Sequence, residues 1–111
     1  MDGGVDDIIT EIARTKPVIV LMQIPGAVIT PWRDLENVRA VSCLFLGGEQ
    51  TGRAWAAVLF GDANPSGKLP VAMPATASDV IPPVLLPASV EYGEKLFTSY
   101  RSSALRAAYP F

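Results

Sequence analysis

The chain has 111 residues, half of them hydrophobic and 18% charged, with a formal net charge of −2. That length makes one domain or part of one, and the composition supplies a buried core rather than a disordered tail. The nine basic residues are scattered, which argues against a nucleic-acid surface. No apolar run is long enough to span a membrane, and Pro17–Met22 is strand-sized.

Histidine is absent and cysteine occurs once. Ser-His-Asp and Cys-His catalysis are therefore ruled out within this chain, as are an internal disulfide and a zinc cage of Cys and His. Cys43 lies in "VRAVSCLFL", where a small apolar role in a strand is expected rather than a reactive thiol. The residues call for no cofactor. Met1-Asp2-Gly3 lacks the basic-then-apolar order of a secretory leader, so none is expected.

In chain order, "VDDIITEIARTK" places Val5, Ile8, Ile9 and Ile12 on one face at helical spacing. Its acids stand near the start and Arg14 and Lys16 near the end, which suits the helix dipole. Val18–Gln23 does not alternate, so it reads as a strand buried on both faces. "VITPWRDLENV" reads as an extended piece followed by a turn centred on Pro31 and Trp32. Val38–Leu46 is a second apolar strand, and "RAWAAVLF" (53–60) an Ala-rich helix. Gly61 suits the left-handed position past its end, and Asn64-Pro65-Ser66-Gly67 fits a type I turn back into a strand. That strand is "KLPVAMP" (68–74), pushed toward a sheet edge by Pro70 and Pro74. Residues 76–89 carry three prolines and read as a variable surface loop. "KLFTSYR" (95–101) alternates and is expected to be a last strand. The order implies an α/β fold: an incomplete, mostly parallel sheet with flanking helices.

Several groups bear on chemistry. Gly47-Gly48-Glu49-Gln50-Thr51-Gly52-Arg53-Ala54 nearly spells the phosphate-binding pattern GxxxxGK[ST]. Arg53 replaces its lysine, however, and Ala54 lacks the hydroxyl that would meet Mg²⁺. Glu49 adds a negative charge, so a tight strand-to-helix turn is the preferred reading. Glycosidic cleavage usually needs two carboxyl groups about 5–10 Å apart, and none of the eleven acids forms an evident pair. Asp6-Asp7, Asp34 and Glu36 read as solvated helix-start and turn residues. Glu91 and Glu94 flank a tyrosine and could face a cleft, a solvated loop being the plainer reading. Trp32, Trp55 and Tyr100 could stack on a sugar ring. Trp55, mid-helix among alanines, is expected to pack in the core.

Taken together, "KPVIVLMQIPGAVITPW", "LGGEQTGRAWAAVLFGDANPSGKLPVAMP", "VEYGEKLFTSYR" and "YPF" resemble, in that order, the C-terminal α/β sandwich domain of glycoside hydrolase family 3. The "VLFGDANPSGKLP" run is the most specific part. The resemblance implies that residues 1–111 are the C-terminal portion of such a domain in a β-glucosidase-like hydrolase of β-linked sugars. It also implies a scaffold and cleft-wall role beside a parent (β/α)₈ barrel. Family members use an Asp nucleophile on the barrel and a Glu proton donor on the sandwich. Both lie upstream of the part matched here, so no catalytic residue is assigned and the chain alone is expected to be inactive. Departures from the family pattern are Gly47 for Pro, Ala57 for Asp, Lys95 for the glycine of "EG", and Thr98-Ser99 for "VG". Glu49, Gln50 and Glu94 are candidate substrate-binding residues, with Gly48 beside the first two. Secretion or a periplasmic location is implied by the resemblance alone. A half-sheet would leave strand edges and apolar surface open to self-association, so a non-catalytic interaction module is the alternative reading.

Overall fold

The protein is represented by a computed structural model that describes residues 4–80, 89 and 91–109. The described residues fall into two compact units, one drawn from Met1–Gly26 and Thr30–Lys68, the other from Ala27–Ile29 and Leu69–Phe111.

The first unit holds helix α1 (Val5–Ala13), strands β1 (Val18–Gln23) and β2 (Val38–Leu44), and helix α2 (Thr51–Leu59). The strands pair in parallel, Ile19 facing Ala40 and Gln23 facing Leu44, with a register irregularity between Val18 and Ile19. Two helices and a two-stranded parallel sheet are the architecture of a partial α/β domain. Helix α1 starts with Asp6 and Asp7 in its first turn, where the dipole favours negative charge. Its end is closed from outside: the Asn37 side-chain amide donates to the Ala13 carbonyl at 2.8 Å, meeting one acceptor that the helix leaves unpaired. Arg14 and Lys16 lie just past the last turn, and Arg14 pairs with Glu11 at 2.6 Å on an exposed face. The turn around Pro31 and Trp32 forms as expected, with the Arg33 amide donating to Thr30 O at 3.2 Å and Leu35 to Trp32 O at 3.1 Å. Gly61 takes a φ of +85° just after α2.

Burial departs from the pattern. Val20 and Met22 are buried, but Leu21 between them is only half-buried and Ile19, on the same face as Leu21, is exposed, so β1 is not covered on both faces. No residue of β2 is fully buried. Val5, Ile8 and Ile12, three of the four residues of the α1 stripe, are exposed at 72%, 56% and 47%. A parallel sheet hides both faces only when helices cover both sides, and the described residues do not supply that cover. Ala13, Thr30 and Trp32, with Val20 and Met22, are the buried ones among the described residues of this unit.

The second unit contains no strand among its described residues. Residues 68–74, read as a third strand, make one antiparallel bridge at Pro74 and Ala107. Ala108 N donates to Met73 O at 2.7 Å and Ala75 N to Arg106 O at 3.0 Å on either side of it. Pro70 and Pro74 have no amide to donate, so a longer ladder cannot form through them. Met73 and Ala72 are buried here. The Asn64–Gly67 turn is also corrected: these residues form neither a hydrogen-bonded turn nor a bend. Within the 76–89 loop, Ala77–Asp79 is a single 3-10 turn, while residues 81–88 of that reading lie outside the described residues.

The expected strand at 95–101 is likewise replaced by local turns. Lys95 N donates to Tyr92 O, Phe97 N to Glu94 O, and Arg101 N to Thr98 O, with a 3-10 turn at Ser99–Arg101. Alternation alone cannot make a strand, because its amides and carbonyls need a neighbouring strand to pair with. Lys95 and Ser99 have φ of +50° and +55°. They stand opposite the glycines of "EG" and "VG" in the family segment that residues 90–101 resemble.

Candidate functional site

The carboxyl ends of β1 and β2 lie side by side, Gln23 against Leu44, and Ile24 N donates to Leu44 O at 3.2 Å. The loop leaving β2 folds back over these ends. A Cβ on Gly47 would overlap the Thr51 hydroxyl and come within 3.0 Å of Leu44 Cδ2 and 3.1 Å of Gln23 Nε2. Only glycine fits that approach without a shift. The Thr51 hydroxyl donates to Gly48 O at 2.7 Å, and the Thr51 amide to the same oxygen at 3.1 Å. This is the tight strand-to-helix turn expected from the sequence, with Gln50 at the helix N-cap position. Glu49 and Gln50 are exposed and adjacent, joined by a long contact of 3.4 Å from Gln50 Nε2 to Glu49 Oε1. Both side chains stand at the edge where open α/β sheets receive ligands.

Glu94 belongs to the other unit, where it lines an open hollow with Ser78, Asp79, Val80, Ser102 and Leu105. Sequence reasoning missed the anchor of this hollow. Asp79 Oδ2 accepts from the Thr76 amide at 2.9 Å and the Thr76 hydroxyl at 2.7 Å, and Arg106 Nε stands 3.9 Å from Oδ1. The Thr76 hydroxyl above all, then its amide and Arg106, hold the Asp79 carboxyl below its ordinary 3.8 against the opposing effect of burial. The signal was present: Thr76-Ala77-Ser78-Asp79 has the spacing of a capping box, with Asp in place of Glu.

The aromatic candidates resolve differently. Trp32 is 3% exposed, so its ring offers no face to a sugar. Its indole N–H donates to Asp6 Oδ1 at 2.7 Å, which ties the start of α1 to the 30–35 turn and corrects the reading of Asp6 as merely solvated. No local signal could have shown that bond, since 26 residues separate its partners. Trp55 is half-buried rather than a core residue, because no side chain of α2 is fully buried. Tyr100 is 59% exposed with the Arg101 guanidinium 5.4 Å from its ring centre. Cys43 is half-buried in β2, and burial pushes its thiol above the ordinary 9.0, away from the reactive thiolate.

The family model described as "Glycosyl hydrolase family 3 C-terminal domain" matches residues 1–111. A "Beta-glucosidase" of Rhizobium radiobacter is 35% identical over 118 residues, covering 99% of this chain and 14% of that protein. The "Probable beta-glucosidase H" of Aspergillus flavus is 40% identical over 105 residues, 88% of this chain and 12% of its own length. The "Probable beta-glucosidase I" of Aspergillus niger is 34% identical over 97% of this chain and 14% of its length. The chain thus spans about one-seventh of the length of these curated relatives. No solved structure gives a significant match. A partial α/β architecture and a family match along the whole chain lead to one conclusion: this chain belongs to the glycosyl hydrolase family 3 C-terminal domain family.

Proposed function

We propose that residues 1–111 are the C-terminal portion of this domain in a β-glucosidase-like hydrolase. Their part in it is to form scaffold and one wall of the glycoside cleft. The observation that carries this reading is the turn at Gly47–Thr51, which holds Glu49 and Gln50 exposed at the carboxyl edge of the sheet. Open α/β sheets bind ligands at that edge, and Gly48, Glu49 and Gln50 are the groups that would meet a sugar there. The parent reaction is removal of a β-linked sugar by a pair of carboxyl groups, supplied by polypeptide other than this chain, with a (β/α)₈ barrel as the partner domain. Glu94 lines a hollow of its own in the other unit.

The test is turnover of an aryl β-glucoside by the purified chain. No release of the aryl alcohol above the buffer rate is expected, and Glu49→Gln and Glu94→Gln should leave that baseline unchanged. Turnover by the chain that falls on either substitution would overturn the proposal, since it would place a working carboxylate here.

A further inference from the structure

A protease cuts a folded chain where the backbone is exposed, extended and free of hydrogen bonds, because the substrate must lie along the enzyme's cleft like an added strand. Residues 61–68 are all exposed, and residues 64–69 contain neither turn nor bend. The stretch is anchored at each end. Ala63 N donates to Ala57 O at 3.0 Å before it, and Ala72 N donates to Ser99 Oγ at 2.9 Å after it. Among the described residues, no hydrogen bond reaches residues 64–71 between those anchors. Pro65 has no amide to satisfy, and Ser66 and Gly67 present little bulk. Lys68 follows them, exposed, with half-buried Leu69 on the far side of its peptide bond.

The other basic residues all have engaged backbone. Arg39 lies in β2 and Arg53 in α2. The Arg14 and Arg33 amides donate to Thr10 O and Thr30 O at 3.2 Å each, and those of Lys95 and Arg101 close turns onto Tyr92 O and Thr98 O. Arg106 O accepts from Ala75 N beside the antiparallel bridge. Lys16 N donates to Ile12 O at 3.0 Å, and Pro17 follows it directly, with a fixed φ and no amide for a protease to bind. We propose that the Lys68–Leu69 peptide bond is a processing site, hydrolysed in the folded chain by an endopeptidase whose primary pocket carries a carboxylate for lysine. Water adds its oxygen to the Lys68 carbonyl carbon, the C–N bond breaks, and Leu69 leaves as a new amino terminus that takes up the proton. The cut falls where the first unit ends at Lys68 and the second resumes at Leu69, so both helices and both strands stay within residues 1–68. This inference does not depend on the role proposed for the Gly47–Thr51 turn.

The experiment is digestion of the 111-residue chain by a limiting amount of trypsin, which has such a pocket, with the products read as intact masses over time. Residues 1–68 and 69–111 are expected to appear together, before any other cut. Lys68→Gln should slow the loss of intact chain about tenfold or more, since every remaining cut awaits local opening. Lys68→Arg should restore the wild-type pattern. Dilute urea should leave the rate at Lys68 unchanged and raise the rates at the other basic residues, because those alone need opening. Lys68 is exposed and outside every helix and strand, so neither substitution is expected to disturb the fold. First cleavage at another basic residue, simultaneous cuts at several, or a Lys68→Gln chain lost as fast as wild type would each overturn the proposal.

Discussion

Lys95 and Ser99 hold left-handed backbone, with φ of +50° and +55°, a region that costs a residue with a Cβ roughly 1–2 kcal/mol. Ser99 has a compensation, because its Oγ accepts from the Ala72 amide at 2.9 Å. No such bond accompanies Lys95, which is exposed. Lys95→Gly should therefore stabilise the chain by about 0.5–1 kcal/mol, the relief of strain exceeding the added freedom of the unfolded state. Ser99→Gly should gain less or lose stability, since it also leaves the Ala72 amide without its partner. Urea unfolding of the two variants side by side checks the order, and a destabilised Lys95→Gly would refute this account of the segment. Trp32 shows the opposite case: a residue open to several roles in the sequence becomes a fixed anchor once its indole meets Asp6.

At the scale of elements, the 3-10 turn at Ala77–Asp79 depends on a charge. The Asp79 carboxyl is held below its ordinary 3.8, chiefly by the Thr76 hydroxyl. A depressed folded value contributes stability that is present above the unfolded value and lost as pH falls through the folded one. Wild type should thus lose stability relative to Asp79→Asn as the pH drops below 3.8, and the gap between them should be constant at neutral pH. Unfolding midpoints of both proteins across that range give the comparison; parallel curves down to strong acid would remove the capping role. Helix α1 presents the reverse situation, an element with acids in its first turn and its end met by Asn37 but whose stripe at Val5, Ile8 and Ile12 is exposed.

For the whole molecule, that stripe and a two-stranded parallel sheet without a third strand among the described residues predict association. On size-exclusion chromatography with light scattering, the chain should show concentration-dependent oligomers. The double variant Ile8→Lys, Ile12→Glu should shift the profile toward monomer, with a stability change within about 0.5 kcal/mol per site because both positions face outward. A compact monomer at all concentrations would count against the partial-domain reading. Much of the first unit was legible beforehand. Both helices, both strands, the Pro31–Trp32 turn and the left-handed Gly61 follow from periodicity and local φ preferences, which act within a few residues. The Gly47 turn was legible as a strand-to-helix connection; what Gly47 approaches was not, because Gln23 reaches it from another strand.

The amino-acid order alone determined the helices and the parallel pair, because helical spacing, apolar runs and glycine-proline punctuation are local properties of the chain, and it carried the family through the resemblance of motifs such as "VLFGDANPSGKLP". Tertiary structure decided which apolar faces are covered, that residues 68–74 and 95–101 are not strands, and that Asp79 rather than a predicted acid anchors the second unit's hollow. These are questions of partners: a strand exists only beside another strand, and burial or a shifted carboxyl requires atoms from distant positions that periodicity cannot specify.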